Sequence, residues 1–358
     1  MTNNQTSSST IYIRTNGRGN AWPVPLGKEH PFYNKNNFED LANASFSIIR
    51  YDADKQIEKE LLIDAGHGTI QHLIKSSNRI PEAIFLTHPH IDHTLSIDWV
   101  VQSYWRQFHK RYPIYASPLC WEQTLATFPQ LKNMVNFKAL QPGKAVKVDE
   151  FDEMEITFLP VFHGESAVGA GILLFEHRKN ANTHKALFTG DSLIPLLRKS
   201  DIEHLQNCDV VFTDANNRYP YPNSNHWSVC RPELIGEPES DLLKGWLQSK
   251  GSKINWLIRP NLPVKFNKTA HAYFDTFLRE SYLGNKLILS VFDLAKAINP
   301  QNIHLVHYSG SEDNKHYGKE ILNTEELQTW ANKKASQAML NTRFIVPRTN
   351  DLFNWINI

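Results

Sequence analysis

The sequence predicts an α/β protein. Short apolar runs of strand length keep ending in loops of His, Asp, Thr and Gly, and stretches with apolar residues at helical spacing lie between them. The chain is also long enough to bury a large core. At 358 residues, with 41% apolar residues, 9 Trp, 12 Tyr and 19 Phe, it suits one large domain or two smaller ones.

Taken in order, Met1–Thr10 is polar and Ser/Asn-rich and is expected to be disordered. Ile11–Arg14 alternates as a strand and runs into a Gly-rich loop, and Trp22–Asn43 is polar with prolines. Ala44–Tyr51 and Glu60–Asp64 read as a hairpin across the polar turn Asp52–Lys55, and a helix follows over Thr69–Lys75. Ala83–Leu86 is a buried strand. Leu95, Trp99, Val100, Tyr104 and Phe108 recur near helical spacing, which predicts one amphipathic helix from Thr94 to Arg111 with its aromatic residues in the core. A strand over Pro113–Ala116 and a helix over Leu119–Phe128 come next, then strands over Met154–Leu159, Val168–Phe175, Lys185–Ser192 and Cys208–Ala215. Asn302–Gly310 holds a strand stopping at His307, a helix starts at Asn323–Glu326 with Leu327, Trp330 and Ala331 buried, and Phe344–Val346 is a late strand. Leu352–Ile358 packs as a short terminal segment.

Thr87-His88-Pro89-His90-Ile91-Asp92-His93 carries the chemistry. Three histidines and an aspartate fall within six residues, directly after a buried strand that Pro89 prevents from continuing. Neutral imidazole and carboxylate bind divalent metal well, and a cluster this dense has no packing reason to exist. A lone histidine is usually a surface or satisfied core residue, and most of the 16 are read that way.

Charge and cysteine usage exclude other classes. A net charge of +1 gives no global field toward nucleic acid or anionic membrane. Cys120, Cys208 and Cys230 are odd in number and far apart, so they form neither a disulfide framework nor a zinc finger, and a reducing, cytoplasmic setting is expected. No signal peptide and no apolar run of membrane-spanning length is visible.

The metal loop resembles the H-x-H-x-D-H motif of the metallo-β-lactamase superfamily of metallohydrolases. Later motifs recur in that family's order: Asp64-Ala65-Gly66, then His163-Gly164 at a strand end, Thr189-Gly190-Asp191, and His307-Tyr308-Ser309. The resemblance implies an αββα four-layer sandwich over residues 11–358, with a helical insertion at about 230–287 before the last ligand. It implies that His88, His90 and His163 hold one metal, that Asp92, His93 and His307 hold the other, and that Asp191 bridges them with a hydroxide. His304 competes with His307 for the last position; the strand-end placement favours His307. Asp64 would support the metal loop, its alternative being a helix cap or turn residue. Two divalent ions, zinc by ligand chemistry with manganese or iron as alternatives, are the expected cofactors.

Within the superfamily the chain resembles tRNase Z and related phosphodiesterases. His226, next to Trp227 and Ser228, sits where those enzymes carry a non-ligand histidine, and it is the candidate acid for the leaving group; its plainer reading is an ordinary loop histidine. Asp92 and His226 are the residues assigned to catalysis. The family's usual Glu in the preceding strand motif is here Asp214, and a long Gly-rich, basic arm is not evident, which points away from tRNA processing itself. The expected substrate is a nucleotide, a nucleic-acid end or a related anionic ester, with a homodimer as the candidate assembly and no membrane partner. A lactone or thioester hydrolase, or a non-catalytic binding module on the same fold, are the alternatives. His226 and His307 lie 81 residues apart, which leaves room for the insertion: amphipathic stretches at Glu239–Lys250 and His271–Leu283, with Lys253, Arg259, Lys265 and Lys268 between them as either a solvated surface or a basic lid.

Overall fold

In the computed structural model, residues 10–21, 27, 42–163, 167, 169–179, 182–192, 194–216, 226, 288, 290–308 and 324–357 are described. The predicted insertion, its two helices and its four basic residues lie outside them, as do residues 1–9 and Cys230; Thr10, expected in the disordered tail, is instead the first residue of a strand.

The first half of the chain builds one sheet. Its strands are β1 (Thr10–Gly17), β2 (Ser45–Tyr51), β3 (Ile57–Ile63), β4 (Ala83–Phe85), β5 (Tyr112–Ala116) and β6 (Val135–Ala139). The second sheet holds β7 (Ala145–Lys147), β8 (Met154–Phe162), β9 (Gly171–Lys179), β10 (Asn182–Phe188), β11 (Ile194–Pro195), β12 (Val210–Asp214), β13 (Asn302–Val306) and β14 (Arg343–Ile345). β15 (Leu352–Asn357) crosses back to pair antiparallel with β1, so the sheets read β15-β1-β2-β3-β4-β5-β6 and β11-β8-β9-β10-β12-β13-β14, with β7 beside β8. In each sheet three antiparallel neighbours (β1-β2-β3, β8-β9-β10) continue into three parallel strands (β4-β5-β6, β12-β13-β14).

The helices are α1 (Thr69–Ser76), α2 (Ile91–Thr94), α3 (Ile97–Phe108), α4 (Pro118–Thr127), α5 (Lys199–His204), α6 (Val291–Ile298) and α7 (Thr324–Gln337). Three apolar cores account for the layering. Phe46, Phe85, Phe175, Phe188 and Phe212 interlock between the sheets. Ile70, Leu73, Val100, Val101 and Trp121 cover the outer face of the first sheet, and Leu205, Val291, Leu294, Leu327 and Ala331 that of the second. Helix, sheet, sheet and helix thus form the four-layer αββα sandwich that the resemblance implied. Parallel strands need both faces covered, and the helices between them supply that cover. Cys120 and Cys208 are free and buried. No described helix is long and apolar enough to cross a membrane.

Three local readings are corrected. The helix expected over Thr94–Arg111 is shorter, Ile97–Phe108, and is set off from α2, which ends at Thr94, because Ser96 bonds the Asp64-Ala65-Gly66 segment: its N–H donates to Ala65 O (2.7 Å) and its hydroxyl to Gly66 O (2.6 Å). The aromatic residues of α3 are not all core. Ile97, Val100 and Val101 are the buried ones, while Trp99 is 59% and Phe108 51% exposed. The strand expected from Val168 begins at Gly171. Two helices were not anticipated: α5, only six residues long, and α6, which begins at a Ser290 side chain accepting from the Asp293 N–H.

Candidate metal centre

The parallel strands of both sheets end at the same edge, and their ends deliver the site. After β4, Thr87 and His88 continue into Pro89, and α2 starts at Ile91, so the loop and first turn carry His88, His90, Asp92 and His93. The second sheet delivers His163 after β8, Asp191 after β10, Asp214 at the end of β12 and His307 after β13. His307 adopts φ +58°, a left-handed conformation a non-glycine residue takes only where its surroundings enforce it.

These side chains form two groups that share one carboxylate. His88, His90, His163 and Asp191 have ligand atoms within 4.8 Å of one another, and so do Asp92, His93, Asp191 and His307. Asp191 Oδ2 lies 3.6 Å from His88 Nε2, 3.5 Å from His163 Nε2 and 3.2 Å from His307 Nε2, and its Oδ1 lies 3.3 Å from His93 Nε2. Asp92 Oδ2 is 3.4 Å from both His93 Nε2 and His307 Nε2. The structure brings together the two sets of residues that the resemblance groups, with Asp191 common to both.

The donor set fits divalent cations. Among the described residues the buried atoms His88 Nε2, His93 Nε2 and Asp191 Oδ1 find no hydrogen-bond partner. Each such atom costs about 1–3 kcal/mol, and three converging on one spot are hard to explain unless a cation satisfies them. Ring tautomers, assigned from the partners, agree. His93 Nδ1 faces Asp64 Oδ2 at 2.7 Å, which leaves the Nε2 lone pair for the centre. Thr87 donates its hydroxyl to Asp64 Oδ2 (2.6 Å) and its N–H to Asp64 Oδ1 (2.8 Å), so His88 Nδ1–H donates to Thr87 Oγ1 (3.0 Å). Asp64 therefore supports the metal loop; the N-cap of α1 is Gly68.

Electrostatics hold His88 neutral and Asp191 ionised, the forms a metal needs, and favour positive charge at His93 and His307. Burial pushes His88 well below its ordinary value and keeps the ring neutral. Burial opposes the charge of Asp191, and His307, His93 and His88 overcome it, so its carboxyl stays well below the usual carboxylate range. Burial likewise opposes a charged His307, but Asp191, Asp214 and Asp92 raise it to about 10. Those carboxylates attract positive charge, and a bound cation would supply it.

Two glycines are required by close approach. A Cβ on Gly66 would lie 1.7 Å from Asp92 O, so the Asp-x-Gly turn can pack against the metal loop only without a side chain. Gly190 has φ +55°, and a Cβ there would meet Thr87 Cβ at 2.6 Å. The absence of a side chain there lets the Asp191 turn pack against the metal loop's threonine.

Beside the two groups sits a pair. His226 Nδ1 lies 2.6 Å from Asp214 Oδ2, and the His226 ring lies 4.8 Å from His163 and 5.2 Å from His307. Asp214 also accepts from the N–H groups of Ser192 (3.2 Å) and Asn216 (2.9 Å), and its Oδ1 is 3.4 Å from His307 Nδ1. Burial opposes its charge, yet His226 and His307 hold its carboxyl below the usual range. Asp191, Asp214, His226 and His307 are close enough to group around a cation as well, but Asp214 already engages the Nδ1 of His226. His304, the competing candidate, lies away from the centre, with its ring against Phe212 and Phe353. Thr87 is the residue that sequence reasoning passed over; its place between His88 and Asp64 depends on side-chain bonding that no spacing encodes.

Comparison with known proteins places this architecture. A search of curated protein sequences returns no match. Among solved structures, the metallo-β-lactamase fold protein YhfI from Bacillus subtilis is similar with 14% identity and a TM-score of 0.55, covering 97% of this chain and 99% of its own. A diphosphatase of the PhnP family is similar with 15% identity and a TM-score of 0.58 (97% and 98% covered), and the short form of human tRNase Z with 12% and 0.51 (96% and 99%). At these identities the likeness concerns the fold. The family model described as the beta-lactamase superfamily domain matches residues 59–237, half of the chain, from β3 and the metal loop through Asp191 to His226. The chain belongs to the metallo-β-lactamase superfamily.

Proposed function

We propose that this member of a superfamily of metal-dependent hydrolases is a dinuclear phosphodiesterase, acting on a nucleotide, a nucleic-acid end or a related anionic ester. The observation that carries the proposal is the His226–Asp214 pair beside the two ligand groups. An alkoxide leaving group needs a proton, and a histidine oriented by a buried carboxylate can deliver one. A PhnP-family diphosphatase and the tRNase Z enzymes share the fold, which is consistent with phosphoryl chemistry.

In this reading His88, His90, His163 and Asp191 hold one ion, and Asp92, His93, His307 and Asp191 hold the other. Two divalent ions, zinc by the imidazole-rich and thiolate-free ligand set, would lower the pKa of bound water and neutralise charge developing on the phosphoryl oxygens. Asp191 sets the spacing of the two positions. Asp64 and Thr87 fix the rings of His93 and His88 so that both present Nε2. Asp214 would accept a hydrogen bond from His226 Nδ1–H, turning Nε2–H toward the reacting centre as the acid for the leaving oxygen. Asp92 Oδ2 and His307 Nε2, 3.4 Å apart, would share the second ion.

The test is metal content by elemental analysis paired with hydrolysis of bis(p-nitrophenyl) phosphate, before and after stripping with a chelator and on adding back zinc or manganese. Two equivalents of metal and turnover that vanishes on stripping are expected. Two equivalents with turnover only on thioester or lactone substrates would overturn the phosphodiester assignment. No bound metal after reconstitution would overturn the centre itself.

A further inference from the structure

The two metal positions are not electrostatically equivalent. The position between His88, His90 and His163 has three neutral imidazoles and a share of Asp191. The position between Asp92, His93 and His307 has a carboxylate of its own and the same share of Asp191. At His88, His93 and His307 the residues behind the ligands widen the difference. Asp64 Oδ2 lies 2.7 Å from His93 Nδ1, and Asp214 Oδ1 lies 3.4 Å from His307 Nδ1. Behind His88 stands a hydroxyl, Thr87 Oγ1 at 3.0 Å. Asp64 accepts from the Thr87 N–H, the Thr87 hydroxyl and His93, a pattern of acceptance only, as an ionised carboxylate shows.

Resting on the dinuclear reading above, we infer that the Asp92–His93–His307 position fills first and holds its ion more tightly, while the His88–His90–His163 position fills second and is the exchangeable one. Three physical effects point the same way. Asp92 adds a full negative charge directly to one position. A carboxylate behind a metal-binding imidazole raises its basicity and fixes its ring, and removing such a partner typically costs 10–100-fold in metal affinity. All of these groups are buried, where charge is weakly screened. The first ion at this position then offsets the concentration of carboxylates around it. The second ion, near the first and held by neutral rings, gains less.

The consequence is a protein that carries one firmly held ion and acquires its second according to supply. It also predicts metal tolerance by position. The tighter position offers more oxygen and so accepts harder ions such as manganese, and the weaker one is richer in imidazole and favours zinc.

The experiment is a metal titration of the full-length protein read by bound metal, not by activity. The fully loaded protein is exposed to graded chelator, and zinc is then returned in steps against a competing indicator dye. We expect two equivalents, released and regained in steps at least tenfold apart in affinity. His163→Ala should remove the weaker step and leave the tighter one. Asp64→Asn should weaken the tighter step by about 10–100-fold, and Asp214→Asn should act on the same step, providing a second test should either variant fold poorly. Two steps of equal affinity would overturn the inference, as would loss of the tighter step in His163→Ala or weakening confined to the looser step in both Asn variants. Saturation of the wild-type protein at one equivalent or none would instead overturn the dinuclear reading on which the inference rests.

Discussion

The two halves of the molecule use one backbone plan and divide the work of the site differently. At the end of β3 the Asp64 N–H donates to Phe85 O (2.9 Å), and at the end of β10 the Thr189 N–H donates to Phe212 O (3.0 Å). Two residues further on lie Thr87 in the first half and Asp214 in the second, and each donates its N–H to the side chain across from it, to Asp64 Oδ1 (2.8 Å) and to Thr189 Oγ1 (3.2 Å). Carboxylate and hydroxyl have exchanged places on the same frame. In the first half the acid stands on the earlier strand and braces the ligand His93; in the second it stands on the later strand and reaches His226 and His307. One half therefore supplies a compact ligand loop with its brace. The other supplies the shared Asp191, proposed ligands brought from distant strands, and the His226–Asp214 pair beside them.

The largest effect should come from the residue shared between the halves. Asp191→Ala removes the carboxylate common to both ligand groups. Metal content should fall from two equivalents to at most one, with hydrolysis down by about 10³-fold or more. Full metal retention in that variant would break the comparison at its centre, because the second half would then contribute no joint ligand.

His226→Ala should be the next largest and should differ in kind. Turnover should drop by about 10²–10⁴-fold with both metals kept, because in the proposed reading the residue acts on the leaving group and holds no ion. A good leaving group such as p-nitrophenolate should lose less than an alkoxide, since it needs no proton. Equal losses for both would argue that His226 acts otherwise than as an acid.

A brace in the first half can be tested by sterics alone. Gly66→Ala forces a Cβ against Asp92 O, and the metal loop has to shift. Metal affinity should weaken on the order of 10–100-fold, in keeping with the loss of a supporting contact. Unchanged affinity would mean that the turn and loop move together without disturbing the ligands.

The same division explains how much the sequence could disclose. The first half's ligands are local: four metal-binding groups within six residues after an apolar run, where composition and spacing suffice. The second half's are isolated residues at strand ends from His163 to His307, and only their order, matched to a family pattern, singles them out. The four layers could be expected from the family, but β15 crossing back to β1 is a nonlocal pairing with no local signal. The break at Ser96 depends on hydrogen bonds to a segment 30 residues earlier. Trp99 and Phe108 were placed in the core because α3 is apolar on several sides, and its smaller residues Ile97, Val100 and Val101 proved to be the packed ones. The Asp–Thr exchange is invisible in one dimension, since it exists only when the two sheets are overlaid strand by strand.

His304 and His307, three residues apart around the end of β13, offer the smallest and most local contrast. Burial pushes His304 down to about 3, with Arg343 adding to the effect, whereas the carboxylates around His307 raise it to about 10 against its burial. His304 is thus neutral when folded, and in the unfolded chain it titrates near the ordinary 6.5. Between those values the unfolded state binds the extra proton, so stability falls as pH falls from about 6.5 toward 3 and is unaffected by this group above 6.5. The slope attributable to it is about 1.4 kcal/mol per pH unit in the steep part of that window. His304→Phe keeps an aromatic ring between Phe212 and Phe353 and removes the titration. Urea midpoints measured from pH 7 to 4 should show a shallower decline in the variant, with metal content unchanged. Identical declines would mean that His304 takes up its proton inside the folded core, and a loss of bound metal would mean that β13 does not insulate its core histidine from its ligand.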